Sequence, residues 1–117
     1  MPRDYRLYLE DILEAIARVE RYTSDVDFVT FSADEMRVDA VVRNLELIGE
    51  AAKQIPRVQR DLMPAIEWRK IAGLRDIVAH QYFNLNLAII WDVVEHHLGD
   101  LRVAATALLA VDPDDQS

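Results

Sequence analysis

Apolar residues recur along this chain at steps of three and four, the period that lines one face of an α-helix. Between residues 4 and 22 the stripe is Tyr5, Tyr8, Leu9, Ile12, Leu13, Ile16 and Val19, which predicts a first long helix. Residues 23–31 break the period. Ser24, Asp25 and Asp27 there favour turns and caps, while Phe28 and Phe31 supply buried anchors, so the segment predicts a connector with one helical turn. Ser32 followed by Glu35 has the spacing of a capping box, and Val41, Leu45, Ile48, Ala52 and Ile55 form a second seam, predicting a helix over 33–54. Pro56 and Pro64 confine any helix between them to a short piece at 57–63. A third helix is expected over 66–83, with Trp68, Ile71, Leu74, Ile77 and Val78 available to a core. A fourth is expected over 86–111, its face made of Leu87, Ile90, Trp91, Val94, Leu98, Leu101, Ala105 and Leu108, with a bend at Gly99.

No run alternates with the period of two that a strand requires, and there is no glycine-rich phosphate loop and no internal repeat. The expected fold is therefore all-α, an up-and-down bundle of four main helices with short connecting helical turns. A chain of 117 residues fits one domain, placed at 1–111 and followed by an acidic, frayed tail at 112–117. With 51% hydrophobic and 29% charged residues it can bury a core, which sets aside the disordered and low-complexity classes.

Charge complicates any nucleic-acid role. Thirteen Lys and Arg against 21 Asp and Glu give −8, a field that repels RNA and anionic membranes. Asp112, Asp114 and Asp115 carry three of those charges into the tail, however, and the bases gather at Arg57, Arg60, Arg69, Lys70 and Arg75, either as a solvated surface or as an RNA-phosphate patch. The chain has no cysteine, which removes disulfides, thiolate metal sites and a Cys nucleophile. Met1 is followed by a charged amphipathic segment, and no window approaches the roughly 20 apolar residues of a membrane span, so a cytoplasmic protein, neither exported nor embedded, is expected.

The side chains able to do chemistry lie in the string Arg75-Asp76-Ile77-Val78-Ala79-His80-Gln81-Tyr82. Asp76 and His80 are four apart, close enough on a helix for the carboxylate to orient the imidazole. Arg75 and Tyr82, seven apart, fall nearly in register, whereas Arg75 and His80 point roughly 140° apart and converge only through the reach of the Arg or in a groove against another surface. A guanidinium that forks onto phosphate, beside an imidazole that moves a proton near neutral pH, suffices for metal-free RNA cleavage in which the ribose 2′-OH is the nucleophile. A paired surface cluster has the same spacing. His96 and His97 are neighbours about 100° apart on a helix with no third ligand four residues on, so no metal and no cofactor are expected. Trp68 and Trp91 fall on apolar faces and read as core or interface. Gly49, inside a strong helical pattern, predicts close approach of another helix, within the bundle or across a dimer.

The pattern R-x-x-x-x-H-x-Y at Arg75, His80 and Tyr82 resembles the signature of the HepT-like toxins of the HEPN superfamily. So do three blocks in the same order: Arg3 to Ile16 (RDYRLYLEDILEAI), Arg43 to Lys53 (RNLELIGEAAK) and Trp68 to Asp76 (WRKIAGLRD). The resemblance implies a HEPN-type bundle and an endoribonuclease toxin of a type VII-like toxin–antitoxin system. It further implies a homodimer whose two motifs line a shared cleft, neutralised by an MntA-type nucleotidyltransferase antitoxin that adenylylates the motif tyrosine. Carried over by position, Arg75 and His80 are catalytic, Asp76 supports them, Tyr82 is modified, and Arg69 and Lys70 are candidate RNA contacts. The family more often has Asn at the position of Asp76, so this chain departs there by adding a charge beside the pair. A non-catalytic HEPN module that binds a nucleotide or docks a nucleotidyltransferase is the alternative, and a purely structural helical protein a third. The intact Arg75 and His80 favour the nuclease, because a docking module needs neither.

Overall fold

The computed structural model describes residues 4–80 and 86–111, and of residues 77–80 the backbone alone. Seven helices follow along them: α1 (Tyr5–Thr23), α2 (Phe28–Ala33), α3 (Glu35–Ala52), α4 (Arg57–Asp61), α5 (Trp68–His80), α6 (Leu87–His96) and α7 (Leu98–Ala110). Among the described residues there is no strand, and the chain is the all-α helical bundle that the apolar periodicity predicts. The tail at 112–117 lies outside the described residues.

Helix α1 begins where the Asp4 carboxylate accepts from the Arg6 amide at 3.0 Å, and it buries Leu9, Ile12, Ile16 and Val19 completely. It lies antiparallel to α3, as two bonds show in which the later residue of α1 meets the earlier residue of α3. Arg18 Nη1 donates to Asn44 Oδ1 at 3.2 Å, and Arg37 Nη1 donates to the Tyr22 carbonyl at 2.8 Å. Asn44 is buried but satisfied, since its amide also donates to the Ala40 carbonyl at 2.8 Å. The other side of α1 packs on α7, again antiparallel: Arg6 donates to the carbonyls of Leu109 and Val111 at one end, and Arg102 pairs with Glu20 at the other. On α3 the predicted seam of Val41, Leu45, Ile48 and Ala52 is buried, and Ile55 beyond its end is buried with it.

Three local expectations are corrected. The Ser32–Glu35 capping box does not form. Residues 28–33 make a short helix of their own, and α3 starts one step later, where Asp34 accepts from the Arg37 amide at 3.1 Å. Ser32 lies inside α2, with its hydroxyl oxygen buried and without a hydrogen-bond partner among the described residues. Of the two anchors in the connector only Phe31 is fully buried, its ring 5.0 Å from that of Trp91, whereas Phe28 is 38% exposed.

The single helix expected over 86–111 is two helices, and the break falls at His97 (φ −119°, ψ −32°) rather than at Gly99. The cause is a change of partner. Helix α6 turns Ile90 and Val93 inward and sets Trp91 against Phe28 and Phe31, whereas α7 turns Leu98, Leu101, Ala105 and Leu108 toward α1. From Val93 to Leu98 is a step of five, which in an unbroken helix swings the apolar face by roughly 140°. The break removes that mismatch, and Val94, predicted to lie in the core, is only half-buried. Helix α4 stays within the interval set by Pro56 and Pro64, and the Trp68 indole, itself buried, donates to the carbonyls of Arg60 and Met63 and so ties α5 to it.

Candidate active site

Helix α5 carries the motif and makes its one extensive helix contact, among the described residues, with α3. Ile71 and Leu74 face that contact and are buried, while Arg69, Lys70, Arg75 and Asp76 face outward. The two backbones touch at Gly49. A Cβ built there meets the Arg75 amide nitrogen at 2.8 Å, the Ile71 carbonyl oxygen at 3.1 Å and the Ala72 carbonyl oxygen at 3.3 Å. Gly49 therefore serves an approach inside the bundle: any larger residue pushes α5 away from α3 at the level of Arg75.

That approach brings the last turn of α3 onto the motif. Arg75 Nε lies 2.7 Å from Glu50 Oε2, and Lys53 Nζ lies 3.7 Å from Asp76 Oδ1. Successive residues of α5 thus meet opposite charges offered three residues apart, by Glu50 in the last turn of α3 and by Lys53 at its C-cap. The Arg75 and Glu50 side chains are 46% and 50% exposed, and pairs so open contribute at most about 1 kcal/mol each to stability. Their effect is mainly geometric, since they fix where a long, flexible guanidinium rests. Glu50 and Lys53 were not singled out from the sequence as site residues. The available signal was Gly49, one position before Glu50, marking where another element crosses.

The Asp76 carboxylate, expected to orient His80, meets Lys53. The α5 backbone continues through His80, placing positions 69, 73, 76 and 80 on one side of the helix, while Tyr82 lies outside the described residues. The five clustered bases are less free than their sequence suggests. Arg57 pairs with Asp61 at 3.8 Å and Lys70 with Glu67 at 3.0 Å, while Arg69 is exposed with no carboxylate at ion-pair distance among the described residues. Trp68 is core and Trp91 half-buried among aromatic rings, which leaves neither free to stack on a base. His96 and His97 sit beside Asp92, and among the described residues no group of three or more His, Asp or Glu is placed to hold a metal ion. No described helix is long and apolar enough to cross a membrane.

Comparison with known proteins points in the same direction. The chain is 40% identical to a protein of Thermococcus cleftensis described as "Probable ribonuclease HepT", over 87% of this chain and 93% of that one. It is 35% identical to a candidate RNase of Methanocaldococcus jannaschii, over 100% of this chain and 98% of the other. A more distant relative, described as an mRNA nuclease HepT in Shewanella oneidensis, is 28% identical over 78% of this chain and 90% of its own length. No solved structure gives a significant match. The family described as "Ribonuclease HepT-like" matches residues 12–108, the stretch that runs from the first buried turn of α1 through the Gly49 crossing and the motif helix to the end of α7. The chain belongs to the HepT-like ribonuclease family.

Proposed function

We propose that this protein is a metal-independent endoribonuclease and the toxin of a toxin–antitoxin pair, with Arg75 and His80 as its catalytic residues. The observation that carries the reading is the outward-facing Arg75 on a helix that runs on to His80, in a chain of a ribonuclease family. In the proposed reaction the 2′-oxygen of a ribose attacks the adjacent phosphorus, the O2′–P bond forms and the P–O5′ bond breaks. The products are a 2′,3′-cyclic phosphate and a 5′-hydroxyl. His80 takes the proton of the 2′-OH or supplies one to the departing O5′, and Arg75 holds the phosphate oxygens as charge builds on them. Asp76, paired with Lys53, supports the helix that carries this pair, and Arg69, with no carboxylate at ion-pair distance among the described residues, is the better of the two candidate RNA contacts, Lys70 being paired with Glu67.

The working form is a homodimer in which two α5 helices face a shared groove. A groove open between two copies answers the geometry noted above, in which Arg75 and His80 diverge around one helix. Regulation follows from position: an AMP group placed on the Tyr82 hydroxyl by an MntA-type nucleotidyltransferase antitoxin brings a phosphodiester charge toward Arg75 and fills the groove that RNA enters.

The test compares wild type, Arg75→Ala and His80→Ala, expressed in bacteria and assayed on an end-labelled RNA oligonucleotide with a chelator present. Wild type is expected to arrest growth and leave cyclic-phosphate ends. Each variant should lose about 10²- to 10⁴-fold in cleavage rate. Equal harmless growth of all three, with no cleavage in vitro, overturns the nuclease reading. Silencing of a Tyr82→Phe variant by the partner enzyme and ATP overturns the modification.

A further inference from the structure

We propose that Glu50 is a positioning residue for Arg75, a role that rests on the catalytic reading of Arg75 and deepens it. Three observations converge on the last turn of α3. Gly49 admits the α5 backbone to within a contact that no Cβ tolerates, and the closest atom in that contact is the Arg75 amide nitrogen. Glu50, the next residue, places its carboxylate 2.7 Å from Nε of the same Arg75. Lys53, one turn on, meets Asp76, the next residue of α5, so two opposite charges in sequence fix the rotation of α5 against α3. Opposite signs at both points penalise any slip that would put Lys53 against Arg75 or Glu50 against Asp76.

The consequence is chemical. An Arg side chain has four rotatable bonds, and one left to roam in water must be ordered at the moment a phosphate needs it. The contact of the Glu50 carboxylate with the guanidinium is at Nε, the side nearest the backbone, so the far end of the guanidinium points on toward the phosphate it is proposed to hold. Glu50 thus acts through Arg75 and need not touch the substrate. The ordering is done before RNA arrives, which accelerates the bond-making step more than it strengthens binding.

The experiment measures kcat and KM on the end-labelled oligonucleotide for Glu50→Ala and Glu50→Gln, alone and in an Arg75→Lys background, with melting curves for each. Glu50→Ala is expected to lower kcat about 10- to 100-fold with KM within about threefold of wild type and the melting temperature unchanged. Glu50→Gln, which keeps the reach and an acceptor oxygen, is expected to restore most of kcat. In the Arg75→Lys background, where the planar group to be oriented is gone, Glu50→Ala should cost little more. The assignment is overturned if Glu50→Ala keeps its kcat, if it gains affinity and speed, as a mere competitor of phosphate would, if Glu50→Gln is no better than Glu50→Ala, or if the losses multiply with Arg75→Lys. Normal cleavage by Glu50→Ala beside a dead Arg75→Ala removes only the Glu50 role. Normal cleavage by Arg75→Ala removes the catalytic reading beneath it.

Discussion

Helices α1 and α5 are both amphipathic and both pack on α3, yet the chain uses them in opposite ways. Helix α1 is gripped on two sides, by α3 and α7, through four aliphatic side chains with no solvent exposure and through bonds at both ends. Among the described residues, helix α5 has extensive contact on one side only, through the aliphatic Ile71 and Leu74, a glycine crossing and two half-exposed ion pairs. Stability is concentrated in the first arrangement, and the residues proposed for chemistry sit on the second. Among the described residues nothing else packs extensively on α5, so its pose depends on a few contacts.

The largest effect expected from breaking this contrast is in the core. Leu45 is fully buried at the centre of α3, and Leu45→Ala should cost about 2–5 kcal/mol in a denaturant titration while leaving the cleavage rate of the remaining folded fraction unchanged. Next comes the crossing. Gly49→Ala sets a methyl against backbone that cannot rotate away, so it should cost about 1–3 kcal/mol and also lower kcat, because α5 must shift at Arg75. A Gly49→Ala protein with both properties intact would show that the two helices are held elsewhere. Gly73, on the open side of α5, has nothing within 4 Å of an added Cβ, and Gly73→Ala should raise stability by about 0.5–1 kcal/mol through helix propensity alone. If that more stable protein cleaves poorly, the open flank is where RNA or a second copy comes close.

The smallest effect is electrostatic and remote from the motif. The backbone amide of Thr30 bonded to Asp27, and that of Arg37 bonded to Asp34, hold both capping carboxylates below their usual range. A carboxylate with a depressed folded-state pKa adds stability above its unfolded value, about 4, and loses it as pH falls through the folded one. Melting temperature should therefore drop as pH is lowered below about 4, and less steeply in Asp34→Asn, which keeps an acceptor at the cap without the charge. Equal slopes for the two proteins would discount the caps.

The seams of α1 and α3 were legible because aliphatic residues buried against a neighbouring helix must repeat with the helix itself. Leu9, Ile12, Ile16, Leu45 and Ile48 could hardly lie elsewhere. The break at His97 was not, since neither Pro nor Gly stands there. Its trace is the five-residue step from Val93 to Leu98, which an alternative stripe through Val94 conceals in the sequence. In the site, Arg75 was singled out by the family resemblance of its motif string, since its spacing to His80 and Tyr82 suits a paired surface cluster equally well. Glu50 and Lys53 were not, because charges on an exposed face have no period to betray them and their partners are fixed only once the Gly49 crossing is known. For the bases between Arg57 and Lys70 a solvated surface and an RNA-phosphate patch stay equally open in the sequence, and the structure adds carboxylate partners for Arg57 and Lys70.

The clasp of Arg6 on the carbonyls of Leu109 and Val111 joins positions more than a hundred residues apart in sequence. On the ribosome, α1 is therefore made well before it is completed, its second flank bare until α7 has emerged and turned back. Contacts of such separation are slow to close and make folding late and cooperative. The motif helix is spared this wait: its seat at Gly49, Glu50 and Lys53 lies within about thirty residues of it in sequence, so α5 finds its partner over a short span while α1 closes over a long one.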